Sequence, residues 1–169
     1  MKKHQKYILF VGLDNSGKST ILKTIQGAPA DAIVPTVGVS LEKFTKGNTL
    51  FTVFDMSGHG QYRDLWRHYF NDVHAIVVVI DTTDKVRISI LRDQLDEMLE
   101  DATLQRRKIP ICFFANKMDL PGLDPAACSM ALGLDMVKDR NWSIFASNAI
   151  TGAGLDEGLL WLMGNLNFN

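Results

Sequence analysis

Continuous apolar runs, each ending at a glycine or a polar residue, recur along the 169-residue chain. The clearest are YILFVG, LFTVFDM, HAIVVVID and IPICFFAN, and the shorter WSIFAS is similar. A strand that is buried on both faces has this pattern, because both of its rows of side chains face a core. The runs therefore predict the strands of a parallel sheet.

Amphipathic segments separate these runs. SILRDQLDEMLEDA carries apolar residues at helical spacing with charges opposite, and GKSTILKTIQ and GLDEGLLWLMGNL are similar. VSLEKF and LFTVFD instead flank Lys46-Gly47-Asn48, which is typical of a hairpin turn. The order predicts one α/β domain over residues 1–169, with a six-stranded, mostly parallel sheet, one antiparallel edge strand and helices on both faces.

Composition and charge narrow the function classes. With 46% hydrophobic and 22% charged residues the chain is globular, and its net charge of -1 argues against a nucleic-acid binder that depends on a basic surface. Cys112 and Cys128 follow no metal spacing, and Cys112 lies in the apolar run PICFFA, which indicates a buried structural thiol rather than a ligand or nucleophile. Two free cysteines fit a reducing, cytosolic compartment.

The first candidate site is GLDNSGKS, Gly12 to Ser19, between a predicted strand and a predicted helix. It matches the phosphate-binding loop G-x-x-x-x-G-K-[ST], whose backbone N–H groups surround phosphate oxygens at a helix N-terminus. Lys18 would reach the β and γ phosphates, and the Ser19 hydroxyl would bind Mg²⁺. A glycine-rich turn without a ligand is the alternative. Asp14 would repel phosphate, so we expect it to face solvent or pair with a cation.

Three more residues are candidates to bind the metal or the γ-phosphate. Asp55 closes the second run, where an acid can hold the Mg²⁺ shell, and Gly58 offers a backbone N–H to a γ-phosphate. Thr36 precedes the hairpin in IVPTVG, where its hydroxyl could reach the metal. Alone, Thr36 is an ordinary loop residue.

The other end of the predicted ligand would contact FFANKMD, which supplies Asn116, Lys117 and Asp119. An aspartate accepts hydrogen bonds from guanine N1–H and from its exocyclic amine, whereas adenine leaves that acid unsatisfied. The alternative is an ordinary loop rich in Asn and Asp. Strand ends at one edge of a sheet are where ligands bind, which favours a guanine nucleotide.

GLDNSGKST, PTVG, DMSG and NKMD occur in this order over essentially the whole chain, which therefore resembles a small GTPase. Gly-Leu-Asp in the phosphate loop and LWRHYF after DMSG are similar to the Arf and Arf-like group. IVPTVGVSLEKF, FTVFDMSG and FFANKMDL most resemble the ciliary Arf-like GTPases that recruit the BBSome coat to membranes. The resemblance implies the small GTPase (P-loop NTPase) fold, GTP or GDP and Mg²⁺ as cofactors, and a role as a molecular switch.

Residue roles follow from the resemblance. Asp14 is ordinary for the group, and Asn15, Ser16, Gly17, Lys18, Ser19 and Thr20 would surround the phosphates. Ser19, Thr36 and, through water, Asp55 would hold Mg²⁺, and Gly58 would sense the γ-phosphate. Asn116, Lys117, Asp119, Ala146 and Ser147 would bind the guanosine. The aromatic effector patch of the family falls on Val39, Phe54 and Tyr69, with Val39 a smaller residue than usual; core packing is the alternative.

His59 stands where the group has a glutamine that orients the attacking water. A neutral imidazole has one donor and one acceptor on a rigid ring, so it reproduces only part of that geometry. We expect slow intrinsic hydrolysis, lowered on the order of tens-fold, or about 2 kcal/mol. The alternatives are an idle, solvated His59 with catalysis supplied by an activating protein, or a scaffold that stays loaded with GTP. A P-loop kinase or ATPase is a further alternative, and NKMD argues against it.

The resemblance also implies partners and a location. Members of the group use a coat or effector protein, here a BBSome subunit, with an exchange factor and an activating protein, and they bind no nucleic acid. They carry an amphipathic N-terminal helix, but only MKKHQK precedes the first predicted strand. We expect the full-length form to be cytoplasmic and peripheral to membranes, at the cilium or basal body. We expect the chain as written, without that helix or a lipid anchor, not to bind liposomes.

Overall fold

The computed structural model describes residues 3–27 and 38–167. The strands are β1 His4–Val11, β2 Val39–Lys46, β3 Thr49–Met56, β4 Ala75–Asp81, β5 Ile111–Asn116 and β6 Trp142–Ala146. The α-helices are α1 Lys18–Ile25, α2 Ile88–Glu100, α3 Ala102–Arg106, α4 Pro125–Leu132 and α5 Leu155–Gly164. Short-pitch 3₁₀ helices cover Gly60–Tyr69 and Leu134–Met136.

The six strands form one sheet in the order β2-β3-β1-β4-β5-β6. All neighbours pair in parallel except β2 and β3, which form an antiparallel hairpin at the edge. Lys46 pairs with Thr49, so the turn is Gly47-Asn48, and Gly47 has a φ of 59° that suits glycine. The predicted fold class and the predicted hairpin are confirmed.

Hydrophobic cores lie on both faces of the sheet. Along β4, Ile76, Val78 and Ile80 enter the core that α2 and α4 cover, while alternate residues enter the core that α1 and α5 cover. All six residues from Ala75 to Ile80 are buried, which is why the sequence of this strand is apolar throughout. Both cysteines are buried free thiols, and burial raises the pKa of Cys128 to about 11. The interpretation of Cys112 as a buried structural residue is confirmed.

Some elements differ from the sequence patterns. β1 begins at His4 rather than Tyr7, because the residues that precede the apolar run also pair with β3, although the side chains of the first two are exposed. Helix α4 has little hydrophobic periodicity, and its identifiable signals are local: Asp124 accepts a hydrogen bond from the Ala127 N–H, and Pro125 is the first helical residue. In the described part of the chain, no helix has the length and apolar character needed to cross a bilayer.

Candidate functional site

The predicted site residues lie at one edge of the sheet, where the parallel strands have their carboxyl ends. The loop from Gly12 follows β1, Asp55 lies near the end of β3, Asn116 ends β5 and Ala146 ends β6. Parallel strands place these ends side by side, so segments that are far apart in the sequence meet at one cleft. The structure therefore brings the predicted phosphate-binding and base-binding segments together.

The phosphate loop packs too closely against its neighbours to accept a side chain at two of its glycines. A methyl group at Gly17 would lie 2.3 Å from Nδ2 of Asn116, and one at Gly12 would lie 2.5 Å from the Val79 carbonyl oxygen. Gly17 also has a φ of 100°, and Asn15 has a φ of 65° although it is not a glycine. These glycines let the loop turn tightly at the start of α1.

Lys18 is buried in this loop, where its ammonium donates to the carbonyl oxygens of Gly12 (3.1 Å) and Leu13 (3.3 Å). Burial lowers the pKa of Lys18 to about 8, although the charges of Asp55 and Asp14 oppose that shift. Within residues 3–27 and 38–167, no carboxylate lies within salt-bridge distance of this ammonium. A buried cation that contacts neutral carbonyls is suited to an anionic ligand, which fits the predicted phosphate.

The residues predicted to bind the metal also converge. Ser19, in the first turn of α1, donates from its hydroxyl to Oδ2 of Asp55 at 2.7 Å. A hydroxyl and a carboxylate at the edge of a phosphate loop are the oxygen ligands that Mg²⁺ takes from such proteins. Thr20 follows in the same turn. Thr36 lies outside the described residues.

Asp14 pairs with cations, as expected from its position in a phosphate loop. Its carboxylate accepts a hydrogen bond from Arg87 and lies 3.8 Å from a terminal nitrogen of Arg63. Burial would raise the pKa of Asp14, but the hydrogen bond and charge of Arg87 hold it below the ordinary value. The carboxylate is therefore neutralised by arginines from two other segments.

Asn116 connects the base end of the site to the phosphate loop. Its side-chain amide donates to the Ser16 carbonyl oxygen (3.0 Å), and its Oδ1 accepts from the Ser147 hydroxyl and the Ala149 N–H, both at 3.1 Å. The side chain is buried. These three bonds leave one amide N–H for a ligand.

Lys117 forms a second connection at the same end. Its ammonium donates to the Asn15 carbonyl oxygen (2.7 Å) and to Oδ2 of Asp81 (2.8 Å), and its backbone has a φ of 66°, uncommon for a residue other than glycine. Asp119, two residues on, is exposed, and its carboxylate bonds to no other described side chain or backbone group. The carboxylate predicted to bind guanine is thus open to solvent.

The last strand brings Ala146 and Ser147 to this cleft. Ser147 is buried, its N–H donates to the Ala115 carbonyl oxygen and its carbonyl accepts from the Met118 N–H. A methyl group at Gly154 would lie 1.8 Å from the Ala146 carbonyl oxygen, so Gly154 holds this turn close. The guanine contact predicted for this turn stays a prediction.

Gly58 and His59 lie at the phosphate end. A methyl group at Gly58 would lie 2.1 Å from the Asp14 backbone nitrogen, so this glycine packs directly on the phosphate loop. His59 is exposed and precedes the 3₁₀ helix, with its N–H directed at the Ser57 hydroxyl (3.3 Å) and its carbonyl accepting from the Tyr62 N–H. Gln61 is also exposed. The backbone at residue 59 is fixed, whereas its imidazole bonds to no other described residue.

The predicted effector residues divide between surface and core. Phe54 and Tyr69 are half-buried with ring centroids 4.8 Å apart, and both pack against the core under α2. Val39 is 41% exposed on the edge strand, and Leu41, which pairs with Phe54, is 59% exposed. Sequence reasoning missed Leu41, although its spacing of two from Val39 places both on one strand face.

Sequence reasoning also missed Asp81, Arg63 and Arg87. Asp81 ends the apolar run HAIVVVID, and an acid at the end of a parallel strand beside the site is a usable signal. The two arginines belong to charged helical segments, which are ordinarily solvated, so their contacts with Asp14 depend on the folded chain.

Comparison with known proteins decides the family. The model of the ADP-ribosylation factor family matches residues 1–166. The chain belongs to this family of small GTPases. It is 46% identical over 169 residues to the ADP-ribosylation factor-like protein 6 of Danio rerio, which covers 98% of this chain and 91% of that protein. It is 41% identical over 160 residues to ADP-ribosylation factor 3 of Arabidopsis thaliana, covering 94% and 87%.

A solved structure agrees with the family assignment. The Arl6 BBS3 small GTPase of Trypanosoma brucei, with the bound nucleotide analogue GppNp, has a TM-score of 0.87 and 38% identity, covering 95% of this chain and 96% of that one. The resemblance found in the motifs and the small GTPase fold are therefore confirmed. The cofactors of the family are GTP or GDP and Mg²⁺, as predicted, and the alternative of a kinase or ATPase is discarded.

Proposed function

We propose that this chain is a GTP-binding molecular switch whose Mg²⁺-GTP form recruits a coat or effector complex of the BBSome type in membrane or ciliary trafficking. Its intrinsic hydrolysis is slow because His59 replaces the usual glutamine. The observation that carries the proposal is the buried Lys18 ammonium, which donates to two carbonyl oxygens of the phosphate loop. Asn116 connects this loop to the Asp119 segment. An anion site and a base site are thus joined through one side chain.

The base end selects guanine through Asp119. Its open carboxylate accepts from guanine N1–H and the exocyclic amine, while the remaining Asn116 N–H donates to the base. The Lys117 stem lies along the same surface, because its ammonium is held by Asn15 and Asp81. Adenine offers no matching pair of donors and leaves the carboxylate unsatisfied.

The phosphate end combines one buried ammonium with backbone N–H groups at the start of α1. Lys18 binds the β and γ phosphates, and Ser16 lies inside the loop, where its buried hydroxyl bonds to no described residue. Ser19 and Asp55, the latter through water, are suited to hold Mg²⁺, which when bound neutralises phosphate charge. Gly58 is close enough to the loop for its backbone to respond to a third phosphate.

A test of the base assignment uses Asp119→Asn. Asparagine replaces one acceptor by a donor, so we expect GTP affinity to fall by more than about 100-fold while xanthosine triphosphate, which offers an oxygen there, binds better. Asp135→Asn, an exposed substitution in a distant 3₁₀ helix, is the control. Unchanged GTP affinity in Asp119→Asn contradicts the proposed guanine site.

A test of the hydrolysis assignment is single-turnover GTP cleavage by the wild type and by His59→Gln. We expect the glutamine variant to be faster on the order of tens-fold, because its amide both accepts from water and donates toward phosphate. Gln61→Ala, also exposed, is the matched control. Equal rates in the wild type and in His59→Gln mean that His59 is idle.

The second candidate function is a scaffold that stays loaded with GTP. The observation that favours it is the exposed His59 imidazole, since no described residue bonds it in an orientation suited to water. A wild-type chain that retains bound GTP over days, with rapid cleavage in His59→Gln, supports the scaffold over the cycling switch.

Recruitment would use the apolar surface of the hairpin. Val39 and Leu41 are exposed beside the Phe54–Tyr69 pair, and they continue the core outward to the solvent. An exposed apolar strip of this kind is typical of partner contacts. The similarity to Arl6 proteins supports a ciliary coat as the partner.

A further inference from the structure

Arg63 behaves differently from its neighbours in the 3₁₀ helix Gly60–Tyr69. Gln61, Asp64 and Arg67 of this helix are exposed, whereas the Arg63 side chain is only 14% exposed and lies against the phosphate loop. Its Nε donates to the Gly58 carbonyl oxygen at 2.9 Å. We call these contacts of Arg63 with Gly58 and Asp14 the Arg63 bridge.

Gly58 is held both by the phosphate loop and by the Arg63 bridge. The Gly58 Cα lies so close to the loop that a methyl group there would be 2.2 Å from the Leu13 carbonyl carbon. The Gly58 carbonyl oxygen accepts a hydrogen bond from Arg63. The peptide that follows Gly58 is thereby fixed relative to the loop, and the bridge closes at Asp14, a residue of that same loop.

The groups around the bridge carry mostly positive charge. Burial and the neighbouring Arg87 lower the pKa of Arg63, with Asp14 opposing them, and the charge of Arg63 in turn lowers the pKa of Lys18. Three cations, Lys18, Arg63 and Arg87, therefore lie around one Asp14 carboxylate. An additional anionic group at this position reduces their mutual repulsion.

We propose that Arg63 is a positioning residue for recognition of the third phosphate: it holds the Gly58 peptide against the phosphate loop, so that discrimination between GTP and GDP depends on the Arg63 bridge. The inference rests on the proposed function, since it requires a guanine nucleotide in the cleft. It assigns Arg63 no contact with the reacting atoms.

The experiment compares the affinities of the full chain, with Mg²⁺, for GDP and for the non-hydrolysable analogue GppNp in wild type, Arg63→Ala, Arg63→Lys and Arg67→Ala. Loss of one charge-assisted bridge should weaken GppNp binding about tenfold while GDP binding changes less than about twofold. Lysine pairs with Asp14 or with Gly58 but lacks the fork that reaches both, so Arg63→Lys should recover part of the discrimination. Arg67→Ala, an exposed arginine in the same helix, should match the wild type.

The outcomes separate this inference from the proposed function. If Arg63→Ala weakens both nucleotides equally, or neither, Arg63 is a structural residue and the inference is overturned. If circular dichroism shows that Arg63→Ala does not fold, the affinity ratio in Arg63→Lys decides in the same way. A wild-type chain that binds neither nucleotide overturns the proposed function and this inference together, whereas unaltered discrimination in the Arg63 variants overturns this inference alone.

Discussion

The base end and the phosphate end of the cleft are held together by different interactions. At the base end, Asn116 is buried and its three hydrogen bonds join the phosphate loop to residues 147–149. At the phosphate end, Asp14 is shared by Arg63 and Arg87, whose side chains remain 14% and 28% exposed. The base end combines this buried network of uncharged groups with the Lys117–Asp81 ion pair, whereas Asp14 at the phosphate end is held by ion pairs with partly exposed arginines.

This difference suits the two tasks of a switch. A buried hydrogen-bonded side chain is costly to leave unpaired, so we expect the base end to keep its geometry whichever nucleotide is bound. Partly exposed ion pairs contribute little net stability and are screened by salt, so they exchange partners at low cost. We therefore expect the base end to be the more rigid of the two, and the end proposed to respond to a third phosphate to be held by contacts that exchange more readily.

Of the substitutions that test this comparison, Asn116→Ala at the base end should have the largest effect on stability. The change leaves the Ser16 carbonyl, the Ser147 hydroxyl and the Ala149 N–H without their partner in a buried site, so we expect a loss of roughly 3–5 kcal/mol in the free energy of unfolding. Urea denaturation measures this loss, and GDP and GTP affinity should fall together.

The control for that change is Asn141→Ala. Asn141 is exposed, and its amide bonds to Oδ1 of Asn165 at 2.9 Å. We expect a change below about 0.5 kcal/mol for this surface residue. Similar losses in the two variants would mean that the Asn116 hydrogen bonds do not hold the base end.

A smaller effect, of opposite sign, is expected from Lys18→Met at the phosphate end. The folded pKa of Lys18 is about 8, below the ordinary 10.5. Above the unfolded pKa the amine is neutral in both states, and its burial carries no charge penalty. As pH falls through the folded pKa the buried amine becomes charged, so at pH 7 the charged side chain destabilises the ligand-free fold. Lys18→Met should gain up to about 3 kcal/mol at pH 7, less at pH 9.5, and lose nucleotide binding.

Thermal or urea unfolding of ligand-free protein at the two pH values measures this gain. Lys23→Met, a change in the same helix at a lysine that is not buried, should show no gain at either pH. A ligand-free Lys18→Met chain that is less stable than the wild type at pH 7 contradicts the expectation.

The smallest expected effect is the uptake of protons by Lys18 at the phosphate end when GDP binds. Because phosphate favours the charged Lys18, GDP binding should take up about half a proton at pH 8, where about half of the free protein carries the neutral amine. Calorimetry in buffers with different ionisation enthalpies measures the uptake, which should approach zero at pH 6.5. Lys18→Arg keeps the charge without titrating in this range, so uptake in this variant as large as in the wild type would assign the proton to another group.

The sequence predicted the parts of the site whose residues are close together in the chain better than those whose residues are far apart. Gly17, Lys18 and Ser19 were predictable, because backbone geometry and phosphate chemistry fix their spacing within one loop. Asp119 was predictable for a similar reason, from its place after a buried strand. The partners of Asp14 were predicted only as a cation, because Arg63 and Arg87 come from helical segments whose other charged residues face solvent. The roles predicted for the individual site residues, Thr36, His59 and Val39 included, remain predictions.

The sequence by itself determined the sheet, the hairpin and the residue types of the candidate nucleotide site, since hydrophobic runs and loop motifs are local patterns with local physical causes. Only the tertiary structure decided that Asn116 connects the two ends, that Asp81 holds Lys117, and that Arg63 lies over the phosphate loop. Those contacts join residues 36, 49 and 100 positions apart. Their existence depends on how strands and helices pack, which no short segment encodes.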